Sequence, residues 1–440
     1  MNNFLSRSVY KSELLGESYE KFTHPCGLDI YVFKKEFSST YAILGVKYGS
    51  VHNSFSVGED GEISVPDGIA HFLEHKLFTN EDGSDSFERF SEYGADANAY
   101  TSFNKTAYLF SCTDNFEPCL AELIDFVTHP YFTPESVASE IGIISEEIKM
   151  YDDSPSDKCF YGMLEGMYEH HPIKRNICGS EKSIRSISAK TLYDCYNRFY
   201  NPKNMALIVC GNVNTDEVLK IANGHLPKVS HAFDICVKDD NAIESPYAFK
   251  NYVEQKMQVS KPLFNIGIKD TDIPKSPLER QKKDAAMAIL DEMIFSRAGE
   301  LYNSLFEKEL ISPNMSYGYT ISSASAYNSL AGEADDPREV LDEIFKYIST
   351  LQEKGLSQKD FLRGKRVMYS EFVKSFDSTD NIANNMLSFI CEDSELLSYA
   401  DIIESVTFDD VNKLFKTMFE REKVTLSVIK PLNKNQGEKI

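Results

Sequence analysis

The chain of 440 residues contains no tryptophan, and its apolar runs are shorter than the roughly 20 residues that span a membrane. Lysine and arginine number 46 against 68 aspartates and glutamates, which gives a formal net charge of −22. This charge argues against nucleic-acid and anionic-membrane partners, because such partners bind basic patches. The first residues lack the apolar segment of a secretory signal, so we expect a cytoplasmic protein.

Two further absences concern cysteine and histidine. The 9 cysteines include no C-x-x-C pair, and most of them lie in apolar contexts. They are expected to be reduced thiols in the core, with a cysteine-bound metal or a thiol nucleophile as the alternative. The last of the 9 histidines is His231, so the second half of the chain contains none. Any chemistry that needs histidine therefore belongs to the first half.

The pentapeptide HFLEH at residues 71–75 is the most informative motif that is present. On a helix, His71, Glu74 and His75 lie on one face, because they are spaced three and four residues apart. Two imidazoles and a carboxylate in this order are typical of a catalytic zinc site with its general base. Asp67 is the predicted N-cap, and the apolar neighbours predict a mostly buried helix. The alternative is two surface histidines on an ordinary helix.

A catalytic zinc site usually has a third protein ligand from another element. A second predicted helix carries Glu140 and Glu147 seven residues apart, on the face that also carries Ile143 and Ile144. Glu146 is turned away by about 100°. We interpret Glu147 as the third ligand and Glu140 as a carboxylate that supports the site, although most helical glutamates simply face solvent.

This combination resembles the insulinase/pitrilysin family of zinc peptidases, which includes the mitochondrial processing peptidase. In that family HFLEH is followed, about seventy residues later, by a helix of the form E-x-x-x-x-x-x-E-I-x-M. Residues 94–101 also resemble the family's G-x-x-x-N-A-x-T strand, and residues 200–213 resemble the close of its first domain. The similarity is strong over the first 215 residues and weaker beyond them.

The resemblance implies a zinc-dependent endopeptidase with one Zn²⁺ per chain. It implies that the substrate is a peptide or an unfolded or leader segment that adds as a strand to a sheet edge. The implied site residues are the metal ligands His71, His75 and Glu147, the catalytic carboxylates Glu74 and Glu140, and the substrate-binding residues Asn98 and Ala99. Asn98 has a second interpretation, as a turn residue at the end of a strand.

Segments recur at an offset of about 220 residues, which indicates a duplicated domain. Residues 119–127 parallel 340–348, and the predicted closing strand at 204–210 parallels that at 423–429. We predict an α+β fold of two homologous domains, each a mainly antiparallel sheet covered by helices, which together form half of a clamshell. The predicted bounds are a zinc-bearing domain at 1–228, a linker at 229–260 and a non-catalytic domain at 261–440.

The chain departs from the family at a pair of residues in the second domain. Many members have an arginine and a tyrosine seven residues apart, where this chain has Phe306 and Pro313. Tyr317 and Tyr319 are candidate replacements for the tyrosine, whereas Arg297 lies too far upstream to replace the arginine simply. The departure predicts a heterodimer in which a homologous chain lacks H-x-x-E-H but carries the Arg/Tyr pair. A self-sufficient homodimer is the alternative.

Two other functions stay open. The chain could be a non-catalytic peptide-binding or assembly subunit with a vestigial zinc site, but Glu74 argues against this because a structural site needs no base. It could also be a metal-dependent hydrolase of small molecules, which the domain repeat and the strand around Asn98 disfavour.

Overall fold

The computed structural model describes residues 4–57, 62–228, 235–237 and 243–432. Its strands are β1 (Ser6–Ser12), β2 (Glu17–Thr23), β3 (Asp29–Lys34), β4 (Thr40–Val46), β5 (Ser54–Val57), β6 (Glu62–Ser64), β7 (Asp96–Thr101), β8 (Thr106–Cys112), β9 (Met205–Gly211), β10 (Ile235–Val237), β11 (Tyr252–Met257), β12 (Leu263–Asp270), β13 (Ser316–Ile321), β14 (Ala326–Glu333) and β15 (Val424–Pro431).

The α-helices are α1 (Ile69–Leu77), α2 (Ser86–Glu92), α3 (Phe116–Thr128), α4 (Pro134–Asp152), α5 (Pro155–Met167), α6 (Glu181–Ile184), α7 (Ala189–Phe199), α8 (Thr215–His225), α9 (Pro277–Phe295), α10 (Glu300–Glu307), α11 (Pro337–Lys354), α12 (Gln358–Lys374), α13 (Thr379–Cys391), α14 (Tyr399–Ser405) and α15 (Phe408–Met418). No helix among the described residues is both long and apolar enough to span a membrane.

The chain folds into two compact units, each built around one large sheet. The first unit comprises Met1–Ile148, Asn176–Lys238 and Val373–Ser398, and the second comprises Lys149–Arg175, Asp239–Phe372 and Tyr399–Ile440. The sheet of the first unit has the strand order β1-β2-β3-β9-β4-β8-β7, and that of the second has the order β11-β15-β12-β14-β13. A small sheet, β10-β5-β6, belongs to the first unit.

The two large sheets share one topology. In the first, β3 pairs with β9 in parallel, while β4 and β8 continue the sheet through antiparallel pairs to β7. In the second, β11 and β15 form the corresponding parallel pair, and β12 and β14 lead through antiparallel pairs to β13. This match confirms the predicted α+β fold of two homologous, mainly antiparallel domains.

Each unit also contains one helix from the opposite half of the sequence. Helix α13 packs on the first sheet, where a Cβ atom at Gly45 would lie 2.2 Å from Leu387 Cδ1. Helix α5 packs on the second sheet, where a Cβ atom at Gly267 would lie 2.5 Å from Met163 Cγ. Glycine at these equivalent strand positions lets a helix approach the sheet closely.

The compact units divide the chain differently from the bounds 1–228, 229–260 and 261–440, which treat each half as continuous. Those bounds stay a prediction. Residues 229–234 and 238–242 of the predicted linker lie outside the described residues. The described remainder of the linker includes strands β10 and β11.

Helix α1 begins one residue later than its predicted cap implies. The N-cap is Gly68, with φ of 90°, and not Asp67, whose carboxylate instead accepts a hydrogen bond from Asn53 at 2.6 Å. A side chain at Gly68 would collide with the carbonyl oxygen of Cys178, 2.4 Å from the Cβ position. The prediction of a buried helix is confirmed, since every α1 residue except His75 is buried.

Candidate metal centre

Helix α1 presents His71 and His75 side by side, with their ring centroids 4.6 Å apart. They are one helical turn apart and therefore project from the same face. His71 is only 7% exposed, because the apolar residues of α1 bury the helix against the first sheet. His71 is therefore shielded from solvent, whereas the side chain of His75 is 24% exposed.

Glu147 of α4 completes the cluster. Its Oε1 lies 3.5 Å from Nε2 of His71, and its Oε2 lies 3.3 Å from Nε2 of His75. One ligand atom from each of the three residues lies within 4.8 Å of the other two. Zinc ligands at bond lengths of about 2.0–2.1 Å in a tetrahedron are about 3.3 Å apart, so these residues fit a zinc ion.

The charges in the cluster favour a bound cation. Contacts with His71 and His75 hold the pKa of Glu147 far below its ordinary value. Burial alone would lower the pKa of His75, but hydrogen bonds to Glu140 and Glu147 outweigh it and raise the pKa to about 10. The carboxylates therefore stabilise positive charge at the point where the ligand atoms converge, and a divalent cation carries such charge.

Glu140 fixes the orientation of His75. Its Oε1 lies 3.1 Å from Nδ1 of His75, which leaves Nε2 directed toward Glu147. Its Oε2 lies 3.5 Å from Nζ of Lys76, a lysine with a side chain that is only 3% exposed. Burial raises the pKa of Glu140, but the His75 contact and the Lys76 charge lower it overall. A carboxylate on the far nitrogen of a metal-binding histidine commonly orients that ligand.

Glu74 lies on the same helix face and is 9% exposed. The hydroxyl of Thr101, the last residue of β7, donates a hydrogen bond of 2.7 Å to its Oε2. Burial raises the pKa of Glu74 above its ordinary value, although the neighbouring histidines and Thr101 act in the opposite direction. A carboxylate with a raised pKa can accept a proton near neutral pH and release it again.

Asn98 and Ala99 lie in β7, which is the edge strand of the first sheet. The side chain of Asn98 accepts a hydrogen bond of 2.8 Å from the backbone N–H of Ala99. Among the described strands β7 pairs with β8 alone and is last in the sheet order, and extended peptides add to sheets at edges of this kind. The role of both residues in substrate binding stays a prediction.

The structure places the other residues of α4 largely as expected. Glu146 is exposed, and Ile144 is buried. Ile143 does not share the buried face, since it is 57% exposed. Ile143 lies about 100° around the helix from Ile144, and this rotation places its side chain toward solvent.

Three residues near the cluster received no role from the sequence. They are Lys76, Thr101 and Cys178, whose Sγ lies 3.6 Å from Nε2 of His71. Thr101 lies in the strand motif that the family resemblance identified, so its position was detectable but its contact was not. Cys178 lies in residues 177–180, which also resemble the family, but nothing there indicated a contact with His71, and Lys76 had no local signal.

The candidate replacements for the missing Arg/Tyr pair have hydrogen-bond partners within the second unit. Arg297 donates to the carbonyl oxygen of Pro313 at 2.8 Å. The hydroxyls of Tyr317 and Tyr319 donate to Glu292 and Asp270, each at 2.8 Å. Phe306 is 47% exposed and has no group that donates a hydrogen bond.

Comparison with known proteins identifies relatives along almost the whole chain. Residues 50–181 match the family model described as insulinase (peptidase family M16), and residues 186–368 match the one described as peptidase M16 inactive domain. A Bacillus subtilis (strain 168) protein named uncharacterized zinc protease YmfH is 36% identical over 415 residues, which are 94% of this chain and 96% of the relative. A Rickettsia felis protein named uncharacterized zinc protease is 25% identical over 86% of this chain and 92% of its own length.

A crystal structure from Alicyclobacillus acidocaldarius, described as an M16-like peptidase, superimposes with a TM-score of 0.88. It is 26% identical, and the alignment covers 98% of this chain and 99% of that one. The similarity thus spans both units and includes the helix that carries HFLEH. The chain belongs to the insulinase family of peptidases, family M16.

Proposed function

We propose that the chain is a zinc-dependent endopeptidase that cleaves peptides or unfolded leader segments. The observation that carries the proposal is the convergence of His71, His75 and Glu147 at zinc-ligand spacing, with the carboxylate of Glu74 on the same helix face. The names of the relatives support zinc as the metal, because the matching proteins of B. subtilis and R. felis are named zinc proteases.

The residues present suit hydrolysis of a peptide bond. Zinc held by His71, His75 and Glu147 would increase the acidity of the attacking water and polarise the scissile carbonyl. Glu74 takes the proton of the water and passes it to the leaving amine, as a general base and then a general acid. Glu140 holds the ring of His75 in place through Nδ1. The free edge of β7 holds the peptide through main-chain hydrogen bonds, so varied sequences are accepted.

We also propose that the chain is the metal-bearing subunit of a two-subunit peptidase. Phe306 and Pro313 supply no donor at the positions where the resemblance implies arginine and tyrosine. Tyr317 and Tyr319 are already bonded to carboxylates. Loss of one donor to an oxyanion costs roughly 10²- to 10³-fold in rate, so a homologous partner with the Arg/Tyr pair would raise activity strongly.

The competing function is a non-catalytic peptide-binding or assembly subunit. The buried environment of Glu74 disfavours it, because burying a carboxylate beside Glu147 is costly and a structural zinc site gains nothing from it.

The test is hydrolysis of an unfolded polypeptide by the zinc-loaded chain, alone and mixed with a homologous chain that has the Arg/Tyr pair. We expect weak cleavage alone and strong cleavage in the mixture. The Glu74→Gln variant is the matched control for contaminating proteases. Absence of cleavage in every mixture would favour the non-catalytic subunit, and full activity of the pure chain would overturn the two-subunit proposal.

A further inference from the structure

Thr101 is placed to control the orientation of Glu74. Among the described residues, its hydroxyl is the hydrogen-bond donor that the structure gives to this carboxylate, at 2.7 Å from Oε2. A glutamate side chain has three rotatable bonds, and rotation about the last one is only weakly restricted. A donor on one oxygen therefore decides which of the two oxygens is available for chemistry.

The neighbouring threonine has a different partner. Thr106 of β8 pairs with Thr101 across the two strands, and the two hydroxyl oxygens are 3.4 Å apart. The Thr106 hydroxyl is fully buried and donates to the backbone carbonyl of Tyr48 at 2.8 Å. The shorter contact of each threonine is therefore different, with Glu74 for Thr101 and with the backbone for Thr106, although the two hydroxyls also touch each other.

The location of Thr101 also connects the base to the sheet edge. Thr101 ends β7, the strand with a free edge, while Glu74 lies on α1. A short hydrogen bond between them fixes the carboxylate relative to the strand that would hold the peptide. Positional control of this kind matters because small displacements of a reacting group lower rates severely.

We propose that Thr101 is a positioning residue that holds Oε2 of Glu74, so that Oε1 receives the proton of the attacking water. This inference rests on the proposed function, since it concerns the base of that reaction. It adds Thr101 of β7 to the residues that act in the proposed reaction, and it assigns separate roles to the two carboxylate oxygens of Glu74.

The experiment compares Thr101→Val, which removes the hydroxyl at nearly constant shape, with Thr101→Ser, which keeps it. The zinc-loaded protein is assayed for peptide hydrolysis, with the partner chain present if activity requires it. We expect Thr101→Val to lower kcat by about 10- to 100-fold with little change in KM, and Thr101→Ser to restore most of kcat. Zinc content should match that of the wild type in both variants.

A second measurement does not depend on turnover. A peptide hydroxamate binds zinc and gives its acidic proton to the neighbouring base, so its affinity reports on the orientation of Glu74. We expect its Kd, measured by calorimetry, to rise about tenfold in Thr101→Val and little in Thr101→Ser. Thr106→Val is the comparison variant, because its hydroxyl touches that of Thr101 but not Glu74, so its changes in kcat and in this Kd should be much smaller than those of Thr101→Val.

The outcomes separate the two proposals. Wild-type kcat in Thr101→Val, an equal loss in Thr101→Ser, or an equal loss in Thr106→Val would each overturn the role of Thr101 and leave the peptidase intact. A wild-type chain that binds zinc but cleaves no peptide, alone or with its partner, would overturn the proposed function and the role of Thr101 with it.

Discussion

The two sheets have the same topology, but two helices at corresponding points of the two units differ in chemistry. Helix α1 lies in the chain between β4 and β7, and α9 lies at the corresponding point between β12 and β13. On α1, His75 contacts Glu140 and Glu147 of α4. On α9, Glu292 contacts Arg363 of α12, the corresponding helix, at 2.6 Å. The second unit thus has a permanent cation, a guanidinium, where the first has space for a metal ion.

The strands that face these helices show the same contrast. In the first unit the hydroxyl of Thr101 on β7 contacts Glu74. In the second, the hydroxyl of Tyr317 on β13 contacts Glu292. In the second unit the carboxylate of Glu292 is thus bonded to a guanidinium and a phenol hydroxyl. One architecture therefore holds a candidate metal centre in one unit and an ion pair in the other, because side chains and not the fold decide the chemistry.

The largest effect we expect is the loss of zinc on His71→Ala or His75→Ala, because two ligands cannot hold the ion as three do. Metal analysis of the purified protein measures it, and Glu147→Gln should weaken binding. Glu146→Gln is the matched control, since Glu146 is exposed on the same helix. Full zinc occupancy in the His71→Ala protein would show that the assigned ligands are wrong.

Next, Glu74→Gln should keep zinc but lose at least about a thousandfold in peptidase activity, because an amide cannot take the proton of the attacking water. The assay should use unfolded or short peptides, which can extend along a sheet edge. Undiminished turnover with full zinc would exclude Glu74 as the base.

A smaller effect is expected from Glu140→Gln, which retains an acceptor for His75 but loses the charge. Zinc affinity or activity should fall by about 10- to 100-fold, the usual range for groups that orient a metal ligand. Equilibrium competition with a zinc chelator measures the affinity. A loss as complete as that in His75→Ala would instead indicate that Glu140 binds the metal itself.

The second unit should respond in stability and not in metal binding. Arg363→Met leaves Glu292 largely buried without its partner, since the side chains of Glu292 and Arg363 are 16% and 29% exposed. We expect a loss of about 2 kcal/mol in unfolding free energy, with the zinc content unchanged. Denaturant unfolding of the metal-free protein measures the unfolding free energy, and metal analysis measures the zinc content. Zinc loss in this variant would contradict the inference that the ion pair of the second unit plays no part in metal binding.

A pH effect should also arise from the second unit, at Asp291 of α9. Burial raises its pKa to about 8, and a hydrogen bond from Asn328 opposes the rise while the charge of Asp284 adds to it. Asp291 Oδ2 and Asn328 Oδ1 are buried and have no hydrogen-bond partner among the described residues. The folded state favours the protonated acid, which is the form that prevails below the ordinary pKa of about 4.

This contribution to stability is present below pH 4 and is lost as the pH rises through about 8. We expect unfolding free energy to fall by about 1 kcal/mol between pH 7 and 9, measured on the metal-free protein. Asp291→Asn, which carries its own hydrogen-bond donor, should reduce the dependence of the unfolding free energy on pH. An unchanged slope in the variant would assign the pH dependence to other groups.

Much of the fold could be predicted from the sequence because the two halves repeat the same order of strands and helices at similar lengths. The closing strands β9 and β15 lie within two residues of their predicted bounds, and α4 begins at Pro134, a residue type that favours the first turn of a helix. The exchange of α5 and α13 between units could not be predicted, because helical periodicity reveals a buried face but not the sheet that covers it. The cap at Gly68 was missed since it depends on the distant carbonyl of Cys178.

The candidate site likewise contains residues that could be predicted from the sequence and contacts that could not. His71, Glu74 and His75 could be selected from local spacing, and Glu147 from a helix seventy residues away with two carboxylates on one face. The hydrogen bond from Thr101 and the charge of Lys76 could not, since both depend on tertiary packing between α1, α4 and β7.

The most direct test is a crystal structure of the zinc-loaded protein with anomalous data at the zinc absorption edge. We expect one strong peak per chain, bonded to Nε2 of His71, Nε2 of His75 and the carboxylate of Glu147, and none beside Glu292 and Arg363 on α9 and α12. A peak absent from the three ligands in the first unit, or a zinc ion bound instead in the second, would contradict the account.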